Sequence, residues 1–241
     1  MVPHMPVDLL KTRIFADGAD RISMLELYRN PLVTGFTTNP TLMKKAGITD
    51  FEAFARDILT HIPDRPISLE VFADDFIEMA RQARKMNSWG DYVFVKIPVT
   101  NSKGVSSGAL IQSLAADGIK INVTAVMTLD QVEETTKALE HGPSSFISIF
   151  AGRIADTGRD PIPLMQSALS LLSDLPHIEL IWASPREILN LYQAINIGCH
   201  VITLPHSLLN KICIFQKDLT SFSLETVKMF YDDGLKAGFN I

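Results

Sequence analysis

The chain has 241 residues, of which 46% are hydrophobic and 20% charged. At roughly 150 residues per domain this length admits either two small domains or one large architecture, and the balance excludes disordered and collagen-like chains. Lys and Arg total 22 against 27 Asp and Glu, a formal net charge of −5, so no diffuse basic surface is available for a phosphate backbone and no nucleic-acid partner is expected. Cys199 and Cys213 lack CxxC spacing and have only each other to pair with, which fits a reducing compartment; both read as small buried hydrophobes. No apolar run approaches the ~18 residues of a membrane helix, and residues 1–13 lack the basic-then-apolar plan of a secretory signal. The expectation is a cytoplasmic protein with no membrane partner.

In chain order, short apolar or β-branched runs occur at 13–16, 35–38, 66–71, 92–97, 119–125, 146–150, 179–182 and 200–204. Between them lie stretches of helical spacing with helix-start residues. Asp50 precedes Phe51, Phe54 and Ile58, and Thr128 precedes Val132 and Leu139. Pro163 opens a run with Met165, Leu169 and Leu172, and Pro185 leads Ile188, Leu189 and Tyr192. Strand and helix alternate, which predicts parallel strands joined by helical crossovers. Eight such units in this length favour a closed (β/α)8 barrel over an open doubly wound sheet, and no Gly-rich dinucleotide fingerprint or P-loop is present to argue otherwise. With no Pro/Ser/Gly linker to divide it, the chain reads as one barrel domain over 1–241. It carries an amino-terminal extension over 1–12 and a carboxy-terminal helix and tail over 223–241. In that extra helix Val227, Phe230 and Leu235 share one side; it either seals the barrel or docks on another subunit.

Barrel strands alternate between the lumen and the helix layer, and chemistry gathers at their carboxyl ends. Phe94 and Lys96 share one face of their strand while Val93, Val95 and Ile97 share the other. Asn122 with Thr124, Ser68 with Glu70, Phe15 with Asp17 and Ser148 with Phe150 are matched in the same way, so several strands aim a polar group inward. Lys96 reads either as half of a structural ion pair with Asp17 or Glu70, or as an amine nucleophile; lysine is seldom buried alone. As a nucleophile it needs a desolvated site, since at a pKa of about 10.4 only roughly one lysine in 2500 is neutral at pH 7. Asp17 and Glu70 could divide proton transfer and water activation between them, or one could merely balance the lysine. Asn39, Asn122, Thr124 and Ser148 offer donors and acceptors for a polyhydroxylated ligand, although Asn39 before Pro40 is also a typical turn residue. Arg153 and Arg186 stand where strands give way to helices, and Ser184 with the helix start behind it adds an anion-friendly pole. Planar guanidinium groups suit a phosphate dianion; the alternative for each is a surface ion pair. Arg159 reads as a solvated loop charge. The six histidines show no metal-ligand spacing, so no metal is expected.

Together these segments resemble the transaldolase family, in the short branch that also contains fructose 6-phosphate aldolases. The matching stretches are Phe15-Ala16-Asp17, Thr37-Thr38-Asn39-Pro40-Thr41-Leu42, Ser68-Leu69-Glu70-Val71, Val95-Lys96-Ile97-Pro98, Asn122-Val123-Thr124, Ser148-Ile149-Phe150-Ala151-Gly152-Arg153, Ala183-Ser184-Pro185-Arg186 and Ile202-Thr203-Leu204-Pro205. The resemblance implies a TIM barrel running class I aldolase chemistry on sugar phosphates, without a cofactor. Lys96 would form the Schiff base, Asp17 would move the proton that accompanies carbon–carbon cleavage, and Glu70 with Thr124 would hold the catalytic water. Asn39, Asn122 and Ser148 would bind the dihydroxyacetone unit, and Arg153, Ser184 and Arg186 the phosphate. The aldolases carry Gln where Glu70 stands and Tyr where Phe150 stands. Phe150 has no hydroxyl with which to protonate the enamine, so transfer to an aldose phosphate is favoured over release of free dihydroxyacetone. Pro185 replaces a more usual aromatic, and the stretch before the first strand is longer than the branch's norm; either could signal an altered acceptor, such as a variant sugar phosphate or a sulfosugar. The branch assembles as pentamers or decamers, which implies a homo-oligomer. A barrel that binds sugar phosphates without turnover is the non-enzymatic alternative.

Overall fold

Eight strands close in sequence order into a parallel barrel: β1 (Arg13–Asp17), β2 (Val33–Thr37), β3 (Ile67–Glu70), β4 (Val93–Pro98), β5 (Ile121–Val126), β6 (Ser145–Ile149), β7 (Ile178–Trp182) and β8 (Val201–Pro205). Each lies on one of the eight predicted runs, with ends shifted by one or two residues. This computed structural model describes residues 11–239, so most of the segment 1–12 and the last two residues of the tail lie outside the described part. Around the barrel run α1 (Arg21–Tyr28), α2 (Pro40–Lys45), α3 (Phe51–His61), α4 (Phe76–Asn87), α5 (Gly108–Ala116), α6 (Leu129–Leu139), α7 (Ala151–Asp156), α8 (Ile162–Leu171) and α9 (Leu189–Asn196). After β8 come α10 (His206–Leu209), a 3₁₀ turn (Asn210–Ile214) and α11 (Leu219–Ala237).

Local chemistry explains the helix starts. Asp50 caps α3 by accepting from the Ala53 N–H at 3.0 Å, and Thr128 forms a reciprocal capping box with Gln131 at the head of α6. Pro163 sits in the first turn of α8, where its missing N–H costs nothing. Pro185 behaves differently: α9 begins only at Leu189. Asn190 Oδ1 accepts from the backbone N–H groups of Arg186 (2.7 Å) and Glu187 (3.2 Å) and holds the intervening residues as a loop.

Alternation along the strands creates two separate apolar regions. Outward residues such as Ile14, Leu69, Val95 and Val123 join helix residues such as Met24, Met79 and Leu114 in the main core. Inward residues Phe15, Phe94, Phe146, Ile181 and Val201 fill the lower lumen as a second cluster. The Phe15 and Phe146 rings meet edge to face with centroids 5.5 Å apart, and Phe94 lies 4.5 Å from Phe146, spacings at which aromatic pairs are favourable. Below them Arg13 pairs with Glu179 and lies 5.7 Å over the Phe15 ring. The plug is polar at its base and apolar above.

Two sequence expectations change. The carboxy-terminal helix starts at Leu219 rather than 223, because Asp218 caps it through the Ser221 N–H at 2.9 Å. It buries none of its residues and so does not seal the barrel: Val227, Phe230 and Leu235 are 60%, 66% and 63% exposed. Cys199 is buried as expected, and burial pushes its thiol up to about 12. Cys213 is exposed on the 3₁₀ turn, its thiol donating to the Asn210 carbonyl at 3.1 Å. Among the described residues no helix is long and apolar enough to cross a membrane.

Gly35 on β2 faces the plug, and a Cβ there would stand 2.6 Å from the Phe15 ring. Gly35→Ala should therefore destabilise the barrel by about 1–3 kcal/mol through overpacking, measured as a lowered urea midpoint with unchanged m-value. A midpoint equal to that of the parent would show that the ring has room to yield.

Candidate active site

Above the plug the lumen turns polar within one pleat. Strand register sets Glu70 beside Lys96, Lys96 beside Asn122, and Asp17 beside Thr37. Lys96 retains 5% of its surface. Its Nζ donates to the Thr38 carbonyl at 2.8 Å and lies 3.1 Å from Glu70 Oε2. Of the two partners weighed for an ion pair, Glu70 is the one in contact. The Thr38 carbonyl is free for the amine because Thr38 is fixed elsewhere: its hydroxyl and its N–H both donate to the Ser68 carbonyl, at 2.8 and 3.1 Å.

Asp17 accepts from the Thr37 hydroxyl at 2.8 Å, and Thr37 Oγ1 lies 2.5 Å from Thr203 Oγ1. Burial pushes the Asp17 carboxyl above its ordinary range and Glu70 nearby adds to the rise; the positive charge of Lys96 and the Thr37 hydrogen bond pull the other way without cancelling it. An adjoining cavity of about 400 Å³ opens between α1, α2 and the β8–α10 turn, with Asp17, Lys45 and His206 in its walls; Lys96 does not line it.

On the neighbouring strands Asn122 Nδ2 donates to Ser68 Oγ at 2.9 Å, and Ser148 Oγ donates to Asn122 Oδ1 at 2.7 Å. The amide is held from both ends. Thr124 Oγ1 is buried with no partner among the described residues, an unsatisfied acceptor and donor of the kind a ligand or water completes. Asn39 lies at the mouth but its Oδ1 is spent on capping α2 through the Leu42 N–H at 3.0 Å. The turn-residue reading applies, and only its amide nitrogen remains to offer.

Arg153, Ser184 and Arg186 form a second group around a close backbone approach. Gly152 packs so tightly on the β7–α9 loop that a Cβ would fall 1.5 Å from the Ser184 carbonyl oxygen. Ser184 itself takes a left-handed conformation at φ 61°, and the delayed start of α9 leaves no helix amino terminus directly behind it, which removes that part of the predicted anion pole. Arg153 lies 5.6 Å over the Phe150 ring. Arg186 meets the surface-ion-pair reading: its Nε donates to Asp156 Oδ1 at 3.1 Å and its Nη2 to Asp156 Oδ2. Arg159 is an exposed loop residue bonded to Thr157 at 2.8 Å. Among the described residues no group of three or more His, Cys, Asp or Glu converges on a metal position.

The buried amine, two carboxylates of unequal environment and fixed hydroxyls together can exchange protons and form carbinolamines without bulk water. Sequence reasoning missed the Thr38 carbonyl, Thr37, Thr203 and Asp156. Thr37 and Thr203 carry the inward periodicity that singled out Asp17; a backbone acceptor such as Thr38 carries no side-chain signal.

The family described as Transaldolase/Fructose-6-phosphate aldolase matches residues 14–240. The chain belongs to that family. Its relatives include proteins named "Probable transaldolase" from Nitrosopumilus maritimus, 33% identical over 88% of this chain and 91% of the relative, and from Thermoanaerobacter sp. strain X514, 31% identical over 95% and 100%. "Probable transaldolase 2" from Listeria monocytogenes is 35% identical over 83% and 88%. Among solved structures, a 2,3-dimethylmalate lyase superposes with a TM-score of 0.58 at 13% identity, covering 97% of this chain and 86% of that one, a likeness of fold alone. In this chain an acidic residue, Glu70, stands against the barrel lysine, Lys96.

Because its folded carboxyl is raised, ionised Asp17 weakens the fold: the contribution of the protonated form is complete below the ordinary carboxylate range and is lost as pH rises through the folded value. Asp17→Asn should therefore be more stable than the parent at pH 7, with the gap closing towards pH 4. Urea melts at the two pH values check this, and a gap that does not change with pH would remove the burial effect.

Proposed function

We propose that the chain is a transaldolase, moving a dihydroxyacetone unit from a ketose phosphate such as fructose 6-phosphate or sedoheptulose 7-phosphate to an aldose phosphate. The observation that carries the reading is the Lys96 amine, enclosed in the lumen 3.1 Å from Glu70 and within reach of a second carboxylate environment at Asp17. Glu70 takes the proton that Lys96 must lose before it attacks. The amine adds to the C2 carbonyl of the ketose, and loss of water from the carbinolamine leaves an iminium on Lys96. Asp17 then accepts the C4 hydroxyl proton as the C3–C4 bond breaks, the electron pair passing into the iminium to give an enamine while the aldehyde departs. An incoming aldehyde is attacked by enamine C3, Asp17 returns its proton to the new alkoxide, and water admitted beside Glu70 and the unpartnered Thr124 hydroxyl hydrolyses the iminium.

Asn122, held by Ser68 and Ser148, and the amide nitrogen of Asn39 serve the hydroxyls of the three-carbon unit. Arg153, Ser184 and Arg186 hold the phosphate. Asp156 occupies the Nε–Nη2 edge of Arg186, so the far Nη1 edge faces the anion. Phe150 lacks a hydroxyl to protonate the enamine, which favours transfer over release. Such a reaction needs no cofactor or metal and belongs to cytoplasmic sugar-phosphate metabolism of the pentose phosphate type. The unburied apolar side of α11 fits docking on a second copy, in the pentamers or decamers that the resemblance implies.

The decisive test is borohydride trapping with fructose 6-phosphate, read by mass spectrometry. A three-carbon adduct on Lys96 is expected, and an intact chain without one would overturn the reading in favour of a binding barrel. Turnover of fructose 6-phosphate should require erythrose 4-phosphate; rapid cleavage without acceptor would assign the aldolase activity that releases free dihydroxyacetone. Lys96→Ala should lower kcat/KM by more than about 1,000-fold. Arg186→Ala should instead raise KM for phosphorylated donors about 10- to 100-fold with little change in kcat, the loss of a charge-assisted contact; an equal effect on unphosphorylated fructose would remove its phosphate role.

A further inference from the structure

Asp17 stands at the carboxyl end of β1. It is reached through two threonines, each contributing one hydroxyl, on strands to either side: Thr37 on β2 and Thr203 on β8. Both are buried, at 2% and 4% exposure. A threonine hydroxyl has one proton and two lone pairs. Thr37 donates its single proton to Asp17 at 2.8 Å, so it has none left for Thr203. While Asp17 is ionised, the 2.5 Å contact between the two hydroxyls is therefore filled by the Thr203 proton, and the array runs from Thr203 to Thr37 to Asp17.

We propose that Thr203 is a positioning residue for the proton-transfer carboxylate, committing the Thr37 proton to Asp17 by supplying a proton of its own. The inference rests on the reading of Asp17 as the group that takes the substrate's hydroxyl proton. While Asp17 is ionised and ready to accept, both hydroxyls point towards it and each bond polarises the next. Once Asp17 holds the proton it donates to Thr37, Thr37 turns its hydrogen to Thr203, and Thr203 rotates its own away. No covalent bond changes in the array. The carboxylate is served in both protonation states by rotation of two buried hydroxyls, with no exchange of bulk water.

Thr203→Val keeps the shape and removes the donor. Thr37 is then left without a supply, and its hold on ionised Asp17 weakens. Lys96 and Glu70, which face Asp17 across the lumen, and Asp20, Lys45 and His206, which share the adjoining cavity, remain in place, so a change reports the array. The acid limb of kcat/KM for the donor sugar should move to higher pH by roughly half a unit to one unit, lowering kcat/KM on that limb about three- to tenfold. Thr203→Ser should restore the parent profile. A Thr203→Val profile that falls uniformly at all pH values, or that overlays the parent, would overturn the proposal.

The same question is answered without turnover by the ¹³C carboxyl resonance of Asp17 in the free protein, assigned by its absence from Asp17→Asn. Its titration should move upward in Thr203→Val and return in Thr203→Ser, and identical titrations would sink the array even if the enzyme is active. If instead the titration moves as expected while the parent shows neither turnover nor a Lys96 adduct, the transaldolase reading fails and the array stands. Thr203→Ala offers the same readout should the valine variant not fold.

Discussion

The upper lumen is organised by the cost of taking the Lys96 amine out of water. A buried charge is tolerated only with partners in good geometry, and the barrel supplies two, the Glu70 carboxylate at 3.1 Å and the Thr38 carbonyl at 2.8 Å. One amine against two inward carboxylates leaves a surplus of negative charge. Glu70 is in contact with the amine, while at Asp17 burial raises the carboxyl and the charge of Lys96 and the Thr37 hydroxyl moderate the rise. Two carboxylates of one lumen thus stand in different surroundings, one against the amine and one buried beside a threonine hydroxyl, an arrangement from which acid and base tasks can be divided.

The phosphate-binding group we propose obeys a different constraint. Its parts come from α7 and from the β7–α9 loop, which touch at the bare backbone of Gly152. That contact lets Asp156 reach Arg186 across the seam. An exposed ion pair of this kind adds little stability, but it fixes the plane of a guanidinium that would otherwise sweep a wide arc. The two groups of polar residues are therefore built by separate means, one by strand register inside the barrel and one by loop packing at its rim.

The strand positions and the inward set Asp17, Glu70, Lys96, Asn122, Thr124 and Ser148 were legible because both follow a period of two, and a polar residue on an otherwise apolar barrel strand has few places to go. Local signals also placed the starts of α3 and α6. What escaped is what depends on backbone conformation or on distant contacts. The delay of α9 comes from Asn190 capturing two N–H groups upstream, and the left-handed turn at Ser184 belongs to a residue type that does not announce it. The ion pair of Arg186 with Asp156 joins residues 30 positions apart. For α11 the amphipathic pattern was visible, whereas its failure to cover the barrel follows from where the chain goes after the 3₁₀ turn.

The stack of Phe15, Phe94 and Phe146 makes the barrel a well with a floor. Nothing the size of a sugar can pass through it, so arrival and departure share one opening. In the two-half reaction we propose, the first aldehyde would have to vacate the shaft before the second could descend, an order that three aromatic rings would impose without touching the reactants.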